Sequence, residues 1–317
     1  MFGATGFIGR RVVAVLDRAG ARVVAAGRDA AALDALRSRL SPDAQTAFCN
    51  AANGDDVARL IRDVHPAVTF NLAGYGVDRS ERDEGVAQSI NAELPARIAR
   101  LLVDERDPDW TGRSLVHVGS ALEYGEARGD LNEQTVPVAT TLYGRSKLAG
   151  TEAVSDLSRR TGLPAVTARL FTVYGPGEHA GRLLPSLLRT AREKTPLELT
   201  AGDQMRDFTF VDDVAEGLLR LGLATASDAV VVNLATGRLE TVRSFVVRAA
   251  SVLGIDAALL KFGALPSRVE EMAHDPVAVG RLRELTGWVP GTGIEEGVLR
   301  TSRELEQSGD SAVARTD

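Results

Sequence analysis

The chain has 317 residues, a length that suggests about two domains at roughly 150 residues per domain. Hydrophobic residues make up 44% and charged residues 25%, and the mean hydropathy is -0.04, as in water-soluble globular proteins. The net charge of -6 argues against a nucleic-acid or anionic-membrane surface, although a local basic pocket for a small phosphorylated ligand is compatible with it.

Cysteine and histidine usage narrows the class further. The single cysteine, Cys49, cannot form an internal disulfide, and the four histidines are scattered without ligand spacing. No apolar run approaches the ~18 residues of a membrane span. We therefore expect a cytoplasmic protein that contacts neither membrane nor nucleic acid and holds no metal site.

Short β-rich runs alternate with amphipathic helical segments over the first half of the chain. The predicted strands are Arg22–Gly27, Ala67–Ala73, Ser114–Ser120 and Ala165–Phe171. The predicted helices are Ile8–Ala19, Ala30–Leu40, Asp55–Val64, Val86–Val103 and Tyr143–Thr161. This alternation predicts an α/β fold, with a doubly wound parallel sheet and helices on both faces.

After about Arg169 the alternation loosens and glycine and proline become more frequent, which predicts a smaller second domain. We place the first domain at 1–168, with 206–236 returning to it, and the second at 169–304. The polar tail 305–317 is predicted to be disordered.

Three glycines near the start form a candidate phosphate-binding loop. In GATGFIG, Gly3 allows a tight turn, Gly6 lets the backbone approach a pyrophosphate, and Gly9 permits close helix packing. The helix that follows offers unpaired N–H groups and a positive dipole end. A glycine-rich turn without a ligand is the alternative interpretation.

The end of the next strand bears on cofactor choice. An acidic residue there would bind the 2'-hydroxyl of NAD, whereas Gly27 followed by Arg28 leaves room for the 2'-phosphate of NADP and neutralises it. Arg28 therefore favours NADP(H), with NAD(H) as the alternative. An ordinary solvated arginine also fits this position, and Asp29 can be the N-cap of the following helix.

A tyrosine and a lysine four residues apart form the candidate catalytic pair. Tyr143 and Lys147 would share one face of a helix. A free tyrosine has a pKa of about 10, and a nearby cation lowers it. Ser120 ends a strand at the carboxyl edge, where parallel sheets hold their ligands, and its hydroxyl could bind a substrate carbonyl.

Several segments together carry a family resemblance: GATGFIG, FNLAG, INAELPARIARLL, VGSALEYG, YGRSKLAGTEAV, RLFTVYGPG, RDFTFVDDVAEGL, VVNLATG and LTGWVPGTGIEEGV. With these motifs the chain resembles the extended short-chain dehydrogenases/reductases, the group of nucleotide-sugar epimerases, dehydratases and 4-keto-reductases. The resemblance implies an N-terminal Rossmann domain, a C-terminal nucleotide-sugar-binding domain and a catalytic triad of Ser120, Tyr143 and Lys147. It also implies a homodimer that pairs through the helices at Val86–Val103 and Tyr143–Thr161.

The resemblance assigns further site residues. The implied cofactor-binding residues are Gly3, Thr5, Gly6, Phe7, Ile8, Gly9, Arg28, Leu72, Ala73, Asn91, Tyr143 and Lys147. Asn91 is expected to support the active-site backbone. The implied substrate-binding residues are Ser120, Thr172, Arg206 and Arg268. Arg206 matches an arginine directed at the diphosphate, Arg268 is the weaker candidate, and Thr172 replaces an asparagine found in many relatives.

The residues after Ser120 discriminate between reactions. Dehydratases carry an acid one or two positions later, where this chain has Ala121 and Leu122, so elimination is disfavoured. Strand alternation would turn Glu123 to the other side from Leu122, and we interpret it as structural. The sequence is most similar to reductases that use NADPH to reduce the C4 keto group of an NDP-4-keto-6-deoxyhexose, a GDP- or dTDP-sugar. An NAD-dependent nucleotide-sugar 4-epimerase and a non-catalytic NADP-binding regulator are the alternatives.

Only Met1 and Phe2 precede Gly3. A strand of about five or six residues normally leads into such a loop, and its neighbours in the sheet need it as a ladder partner. The sequence therefore predicts a truncated first strand and a native chain that begins several residues earlier.

Overall fold

The computed structural model describes residues 1–76, 81–225, 230–266 and 275–313. The strands are β1 (Val24–Gly27), β2 (Gln45–Phe48), β3 (Thr69–Asn71), β4 (Leu115–Ser120), β5 (Ala165–Leu170), β6 (Thr172–Tyr174), β7 (Leu197–Leu199), β8 (Met205–Phe210), β9 (Val230–Leu234), β10 (Leu239–Thr241) and β11 (Leu260–Phe262). The helices are α1 (Phe7–Arg18), α2 (Ala30–Arg37), α3 (Gly54–Val64), α4 (Glu84–Ala87), α5 (Leu94–Glu105), α6 (Leu142–Thr161), α7 (Leu183–Glu193), α8 (Val211–Leu223), α9 (Val242–Leu253), α10 (Gly280–Thr286) and α11 (Ile294–Val313). A π-helical turn (Gln88–Glu93) joins α4 to α5, and 3-10 turns occupy Ala121–Glu123 and Ala257–Leu259.

The main sheet is parallel. β3, β4, β5 and β9 pair side by side in that order, and β1 pairs with β2. Phe2 joins the two groups, because it forms parallel bridges to Ala26 of β1 and Asn71 of β3. The order β2-β1-Phe2-β3-β4-β5-β9 is the doubly wound Rossmann arrangement, so the predicted fold class is confirmed.

Met1 and Phe2 lie at the centre of this sheet. The Phe2 N–H donates to the Phe70 carbonyl at 2.9 Å, and the Phe2 carbonyl accepts from the Leu72 N–H at 3.1 Å. On the other side, the Ala26 N–H donates to the Met1 carbonyl at 2.8 Å. Since the Phe2 side chain is buried as well, the glycine loop leaves the sheet from a residue held by both neighbouring strands.

Helices cover both faces of the main sheet. α1 packs with α8 on one face, and the apolar residues buried there include Val12, Val13, Leu16, Leu218 and Leu221. α3, α5 and α6 cover the other face with Val57, Ile61, Leu94, Ile98, Leu102 and Val154. β4 and β5 are buried along their whole length, which explains why both were predicted as strands from near-continuous apolar runs.

Two small sheets follow the main sheet. β6 pairs in parallel with β8 and β10 pairs antiparallel to it, while β7 pairs with β11. The Phe208 and Phe245 rings stack with centroids 4.3 Å apart, and Tyr174 meets Phe245 edge-on at 5.2 Å. Within the segment 206–236, β9 is a strand of the main sheet and α8 packs on that sheet, as predicted. β8 instead pairs with β6 in one of the small sheets.

The predicted helix Val86–Val103 is interrupted by the π-helical turn. Pro95 lies four residues after Asn91, and a proline ring has no N–H and crowds the carbonyl four positions earlier. In this wider turn the Asn91 carbonyl oxygen lies against Gly150 of α6. A Cβ on Gly150 would overlap that oxygen. Turns of this kind are frequent at functional sites.

The C-terminal end of the described chain differs from the prediction of a disordered tail. α11 continues to Val313, past residue 305, where the predicted disordered tail begins. No proline interrupts 305–313, and the Ser302 hydroxyl donates to Glu306 at 3.1 Å one turn later. A helix already formed extends easily through such a segment.

The structure also bears on membranes and metals. In the part of the chain that it describes, no helix has the length and apolar character needed to cross a bilayer. The same residues contain no group of three His, Cys, Asp or Glu side chains that could hold a metal ion. The cytoplasmic location and the homodimer stay predictions.

Gly9 has no room for a side chain, because a Cβ would overlap the Gly3 carbonyl oxygen. We expect Gly9→Ala to lower the free energy of unfolding by about 3 kcal/mol, since the loop backbone must shift. Gly280→Ala is the matched control: a Cβ there meets nothing, and we expect no loss of stability. Urea unfolding followed by circular dichroism measures both, and equal midpoints would contradict the prediction.

Candidate active site

Ser120, Tyr143 and Lys147 come together at the carboxyl edge of the main sheet. Ser120 is the last residue of β4, between the parallel strands β3 and β5. Tyr143 and Lys147 lie in the first two turns of α6, which begins where the Thr141 hydroxyl accepts the Gly144 N–H at 3.0 Å. Their spacing places both side chains on one face of the helix.

The Lys147 ammonium is buried between two strand ends. Its Nζ donates to the Val118 carbonyl of β4 at 3.1 Å and to the Ala73 carbonyl after β3 at 3.4 Å. It lies 5.9 Å from the centroid of the Tyr143 ring. Burial lowers the pKa of Lys147 to about 8, and the Glu123 carboxylate opposes that decrease. The ammonium is therefore mostly charged at neutral pH but close to its titration point.

The Tyr143 phenol is partly buried and lies close enough to the Ser120 side chain for that hydroxyl to affect its pKa. The Tyr–Lys spacing predicts a lowered pKa, but the structure gives the opposite direction. Loss of solvent raises the pKa of Tyr143, the Glu123 carboxylate raises it further, and the Ser120 hydrogen bond and Arg182 oppose them. Desolvation outweighs the nearby cations, so the protonated phenol is the resting form.

A buried ion pair lies beside Ser120. The 3-10 turn after β4 brings Glu123 back to the strand, where Oε1 accepts the Ser120 N–H at 2.8 Å. Oε2 accepts from Arg169 Nε of β5, also at 2.8 Å, and the two side chains are only 0% and 4% exposed. The prediction of strand alternation was wrong at Glu123, because the chain turns immediately after Ser120.

Asn91 holds the loop that follows β3. Its Oδ1 accepts the Tyr75 N–H at 3.0 Å, and its Nδ2 donates to the Tyr75 carbonyl at 2.7 Å and to the Ser146 hydroxyl at 2.9 Å. One side chain thus pairs with both backbone groups of a loop residue. Gly74, in the same loop, lies against Lys147, since a Cβ there would be 3.3 Å from Nζ. Asn91 therefore supports the backbone beside Lys147.

The glycine loop forms a cradle next to this site. Gly3 has a φ of 74°, and a Cβ there would lie 2.7 Å from the Ala73 nitrogen and from the Leu72 carbonyl carbon. Gly6 is the N-cap of α1 and provides no side-chain cap, so the N–H groups of the first turn remain for a phosphate. Backbone that approaches this closely, without side chains in the way, fits the pyrophosphate of a dinucleotide.

The remaining predicted cofactor contacts surround the cradle and are all partly exposed: Thr5, Phe7, Ile8, Leu72 and Ala73. Arg28 is exposed directly after β1. A Cβ on Gly27 would be 3.3 Å from Thr5 Cγ2, so this strand tip has little space for a larger residue. The Asp29 carboxylate caps α2 by accepting the Ala32 N–H at 3.0 Å. Arg28 is therefore the charged group that the strand tip presents to solvent.

Two of the predicted substrate contacts lie in the small sheet of β6, β8 and β10. Thr172 begins β6 and pairs with Phe208 of β8, two residues after Arg206. Both Thr172 and Arg206 are half-buried. Arg268 lies outside the described residues. Since β6 continues from the end of β5, these positions extend the edge at which Ser120 lies.

A buried carboxyl in the loop after β6 was not among the predicted site residues. The Glu178 side chain is 7% exposed and lies 3.5 Å from the Arg182 guanidinium. Burial raises the pKa of Glu178 to about 7, against the opposing effect of Arg182. The loop reaches α1, because Arg10 Nη2 donates to the Gly177 carbonyl at 3.4 Å. The G-P-G sequence before Glu178 predicts a turn but gives no sign of the burial.

Comparison with known sequences identifies relatives of the whole chain. The sequence profile of the NAD dependent epimerase/dehydratase family matches residues 1–235. The dTDP-6-deoxy-L-talose 4-dehydrogenase (NAD(P)(+)) of Kitasatospora kifunensis is 30% identical over 310 residues, which are 94% of this chain and 92% of that protein. The dTDP-4-dehydrorhamnose reductase of Streptomyces griseus is 26% identical over 224 residues, which are 70% and 64% of the two chains.

Solved structures support the same fold. MoeE5 in complex with UDP-glucuronic acid and NAD is 25% identical, with a TM-score of 0.81 over 97% of this chain and 98% of that chain. The UDP-glucose 4-epimerase of Thermotoga maritima has a TM-score of 0.84 over 97% and 98% of the chains, and at 19% identity it shows the fold alone. The resemblance to the extended dehydrogenases/reductases is thereby confirmed.

Asn91→Ala tests the support of the loop after β3. We expect it to lower the free energy of unfolding by about 2 kcal/mol, because the partly buried backbone of Tyr75 and the buried Ser146 hydroxyl lose their partner. The matched control is Asn53→Ala, which removes an exposed N-cap of α3 at a cost of about 1 kcal/mol. The Tyr75 amide should exchange its hydrogen faster in Asn91→Ala alone. An unchanged exchange rate would show that Asn91 does not hold this loop.

Proposed function

Because this chain belongs to the NAD dependent epimerase/dehydratase family, we propose that it is an NADPH-dependent reductase. Its substrate is an NDP-4-keto-6-deoxyhexose with a GDP or dTDP group, and its product carries a C4 hydroxyl. The observation that carries the proposal is the arrangement at the sheet edge. Ser120 lies beside a protonated Tyr143, and the buried Lys147 ammonium lies 5.9 Å from the Tyr143 ring centroid.

The relatives support C4 as the reacting carbon. The name of the Kitasatospora kifunensis protein describes oxidation at C4 of a dTDP-6-deoxy sugar, and that of the Streptomyces griseus protein describes reduction of a 4-dehydro sugar. Oxidation and reduction at C4 are the two directions of one type of hydride transfer. The first relative aligns with this chain over 94% of its length, so the likeness includes both sheet systems.

The three side chains divide the work of carbonyl reduction. The Ser120 hydroxyl positions the C4 carbonyl oxygen, and the Tyr143 phenol gives its proton to that oxygen as negative charge develops on it. The Lys147 ammonium stabilises the phenolate left on Tyr143 and binds the nicotinamide ribose. When bound, NADPH supplies the hydride that adds to C4. Solvent then returns a proton to Tyr143, so one hydride and one proton convert the ketone to the alcohol.

Elimination of water needs an acidic residue one or two positions after Ser120, and this chain has none there. Ala121 and Leu122 follow Ser120, and neither carries a proton to exchange. Glu123 is the next carboxyl, but its two oxygens are engaged by the Ser120 N–H and by Arg169. This geometry favours simple reduction over dehydration.

The position of Arg28 supports NADPH as the reductant. The guanidinium is exposed at the end of β1, beside the cradle, while the Asp29 carboxylate is engaged as a helix cap. A guanidinium pairs well with the oxygens of a phosphate group. We therefore propose that Arg28 binds the 2'-phosphate of NADPH.

The purified protein should oxidise NADPH only when a 4-keto-6-deoxy nucleotide sugar is present. Tyr143→Phe should lower kcat by about 10³-fold and leave the Kd for NADPH unchanged, because it removes the proton donor alone. Tyr174→Phe is the matched control, since it also removes one phenol, hydrogen-bonded to the Gly293 carbonyl at 3.2 Å in the aromatic cluster. Full activity of Tyr143→Phe would contradict the mechanism.

Native mass spectrometry of the freshly purified protein separates the alternatives. A site that is empty and takes up added NADPH supports the reductase. Tightly retained NAD, with interconversion of C4 epimers without added cofactor, would instead identify an epimerase. Binding of NADPH without turnover of any nucleotide sugar would identify a regulator.

Arg28→Ala tests the cofactor preference. We expect the Kd for NADPH to rise about tenfold, equivalent to ~1.4 kcal/mol, and the Kd for NADH to stay unchanged. Arg22→Ala is the matched control, because Arg22 is also exposed but precedes β1 at the opposite end. Fluorescence titration gives the Kd values for NADPH and NADH in the wild type and in both variants. An equal rise for both cofactors would show that Arg28 does not recognise the 2'-phosphate.

A further inference from the structure

We propose that Glu123 is a positioning residue of this site, whose buried carboxylate fixes the Ser120 backbone and keeps protons on Lys147 and Tyr143. The use of those protons rests on the proposed reductase function. The charge arrangement itself does not depend on it.

The end of β4 and the turn after it surround the Glu123 carboxylate. Oε1 accepts the Ser120 N–H, and the Ser120 hydroxyl in turn accepts the Leu122 N–H at 3.2 Å, so strand end and turn cap each other. Gly119 leaves the space, because a Cβ at that position would overlap Oε1. The side chain of Glu123 is completely buried.

Arg169 makes this burial of a carboxylate tolerable. Its Nε donates to Glu123 Oε2, and its guanidinium carbon lies 4.4 Å from the centroid of the Tyr124 ring. The Tyr124 hydroxyl donates to Asn233 Oδ1 at 2.8 Å, which holds the ring in place. A buried charge without such a partner would take up a proton instead. The pairing with Arg169 therefore gives the buried Glu123 carboxylate a partner next to the catalytic residues.

Other titratable groups also face the triad. His117 of β4 is completely buried, and burial and the Lys147 charge lower its pKa well below the ordinary value, so it is neutral. Arg182 lowers and Glu81 raises the pKa of Tyr143. For Lys147, Glu123 is the charged group that counteracts the effect of burial. Loss of the Glu123 charge should therefore lower the pKa of Lys147.

For proton donation, the Glu123 charge affects Lys147 and Tyr143 in opposite ways. A nearby anion stabilises the ammonium of Lys147 and destabilises the phenolate of Tyr143. Both effects favour the state in which each residue carries its proton. The ammonium is the form of Lys147 that stabilises a phenolate on Tyr143. The raised pKa of Tyr143 makes its phenol a weaker acid, so the Glu123 charge serves proton donation through Lys147, without touching substrate itself.

The test uses the small number of lysines in this chain. Only Lys147, Lys194 and Lys261 occur, so protein labelled with [ε-13C]lysine gives three lysine signals in NMR spectra. Lys194 and Lys261 are exposed, and Lys194→Arg and Lys261→Arg assign the signals without changing the site. In the wild-type protein Lys147 should titrate with a pKa of about 8.

Glu123→Gln should shift the titration midpoint of Lys147 to lower pH, with a roughly tenfold or greater loss of proton affinity. Glu123→Gln leaves the Arg169 charge without its partner. A double variant, Glu123→Gln with Arg169→Gln, removes both charges, and we expect the Lys147 midpoint to shift to lower pH in it as well. Glu123→Asp keeps the charge and should retain most of the wild-type midpoint. The signals of Lys194 and Lys261 are references that none of these substitutions should move.

The outcomes are distinct. A Lys147 midpoint that is unchanged both in Glu123→Gln and in the double variant would overturn the proposal and leave Glu123 with a structural role only. If the proposed function holds, the same variants should lose activity on the alkaline side at lower pH than wild type, because the charged ammonium exists below its pKa. If no nucleotide sugar is turned over, the proposed function fails, and the NMR titration still decides the role of Glu123.

Discussion

Parallel pairing of β4 with β3 and β5 is the constraint on which the site depends. Strands that run in the same direction end at the same edge of a sheet. Ser120, the Ala73 carbonyl and Arg169 therefore lie side by side, although long segments of chain separate them. A shift of β4 by one residue would turn Ser120 to the other face and move the Val118 carbonyl away from Lys147.

Burial at this edge determines the protonation of Lys147 and Tyr143. Removing water disfavours charged forms, so it lowers the pKa of Lys147 and raises that of Tyr143. Burial alone would drive both side chains towards neutrality. The Glu123 carboxylate acts against this trend at Lys147 and with it at Tyr143. The site thus combines a charged Lys147 ammonium with a neutral Tyr143 phenol in surroundings that solvate charge poorly.

Features that depend on a few adjacent residues were predicted correctly from the sequence. The features that were predicted wrongly or missed depend on residues distant in the chain. Helix α6 and its Thr141 cap, and helix α2 and its Asp29 cap, depend on a few adjacent residues. The π-helical turn depends on Pro95 as well, but its carbonyl is accommodated by Gly150 of another helix. β2 is a short, half-exposed edge strand, and its sequence carries no alternation by which it could be recognised.

The sequence by itself determined the doubly wound fold, the glycine cradle and the positions of Ser120, Tyr143 and Lys147. Strand period, helix spacing and the conformational freedom of glycine are properties of a few adjacent residues, and a motif records them directly. Only the tertiary structure decided that Glu123 turns back to meet Arg169, and in which direction the pKa of Tyr143 moves. Both depend on how much water the packed helices exclude and on which charges from other strands remain inside, and neither quantity is encoded in local spacing.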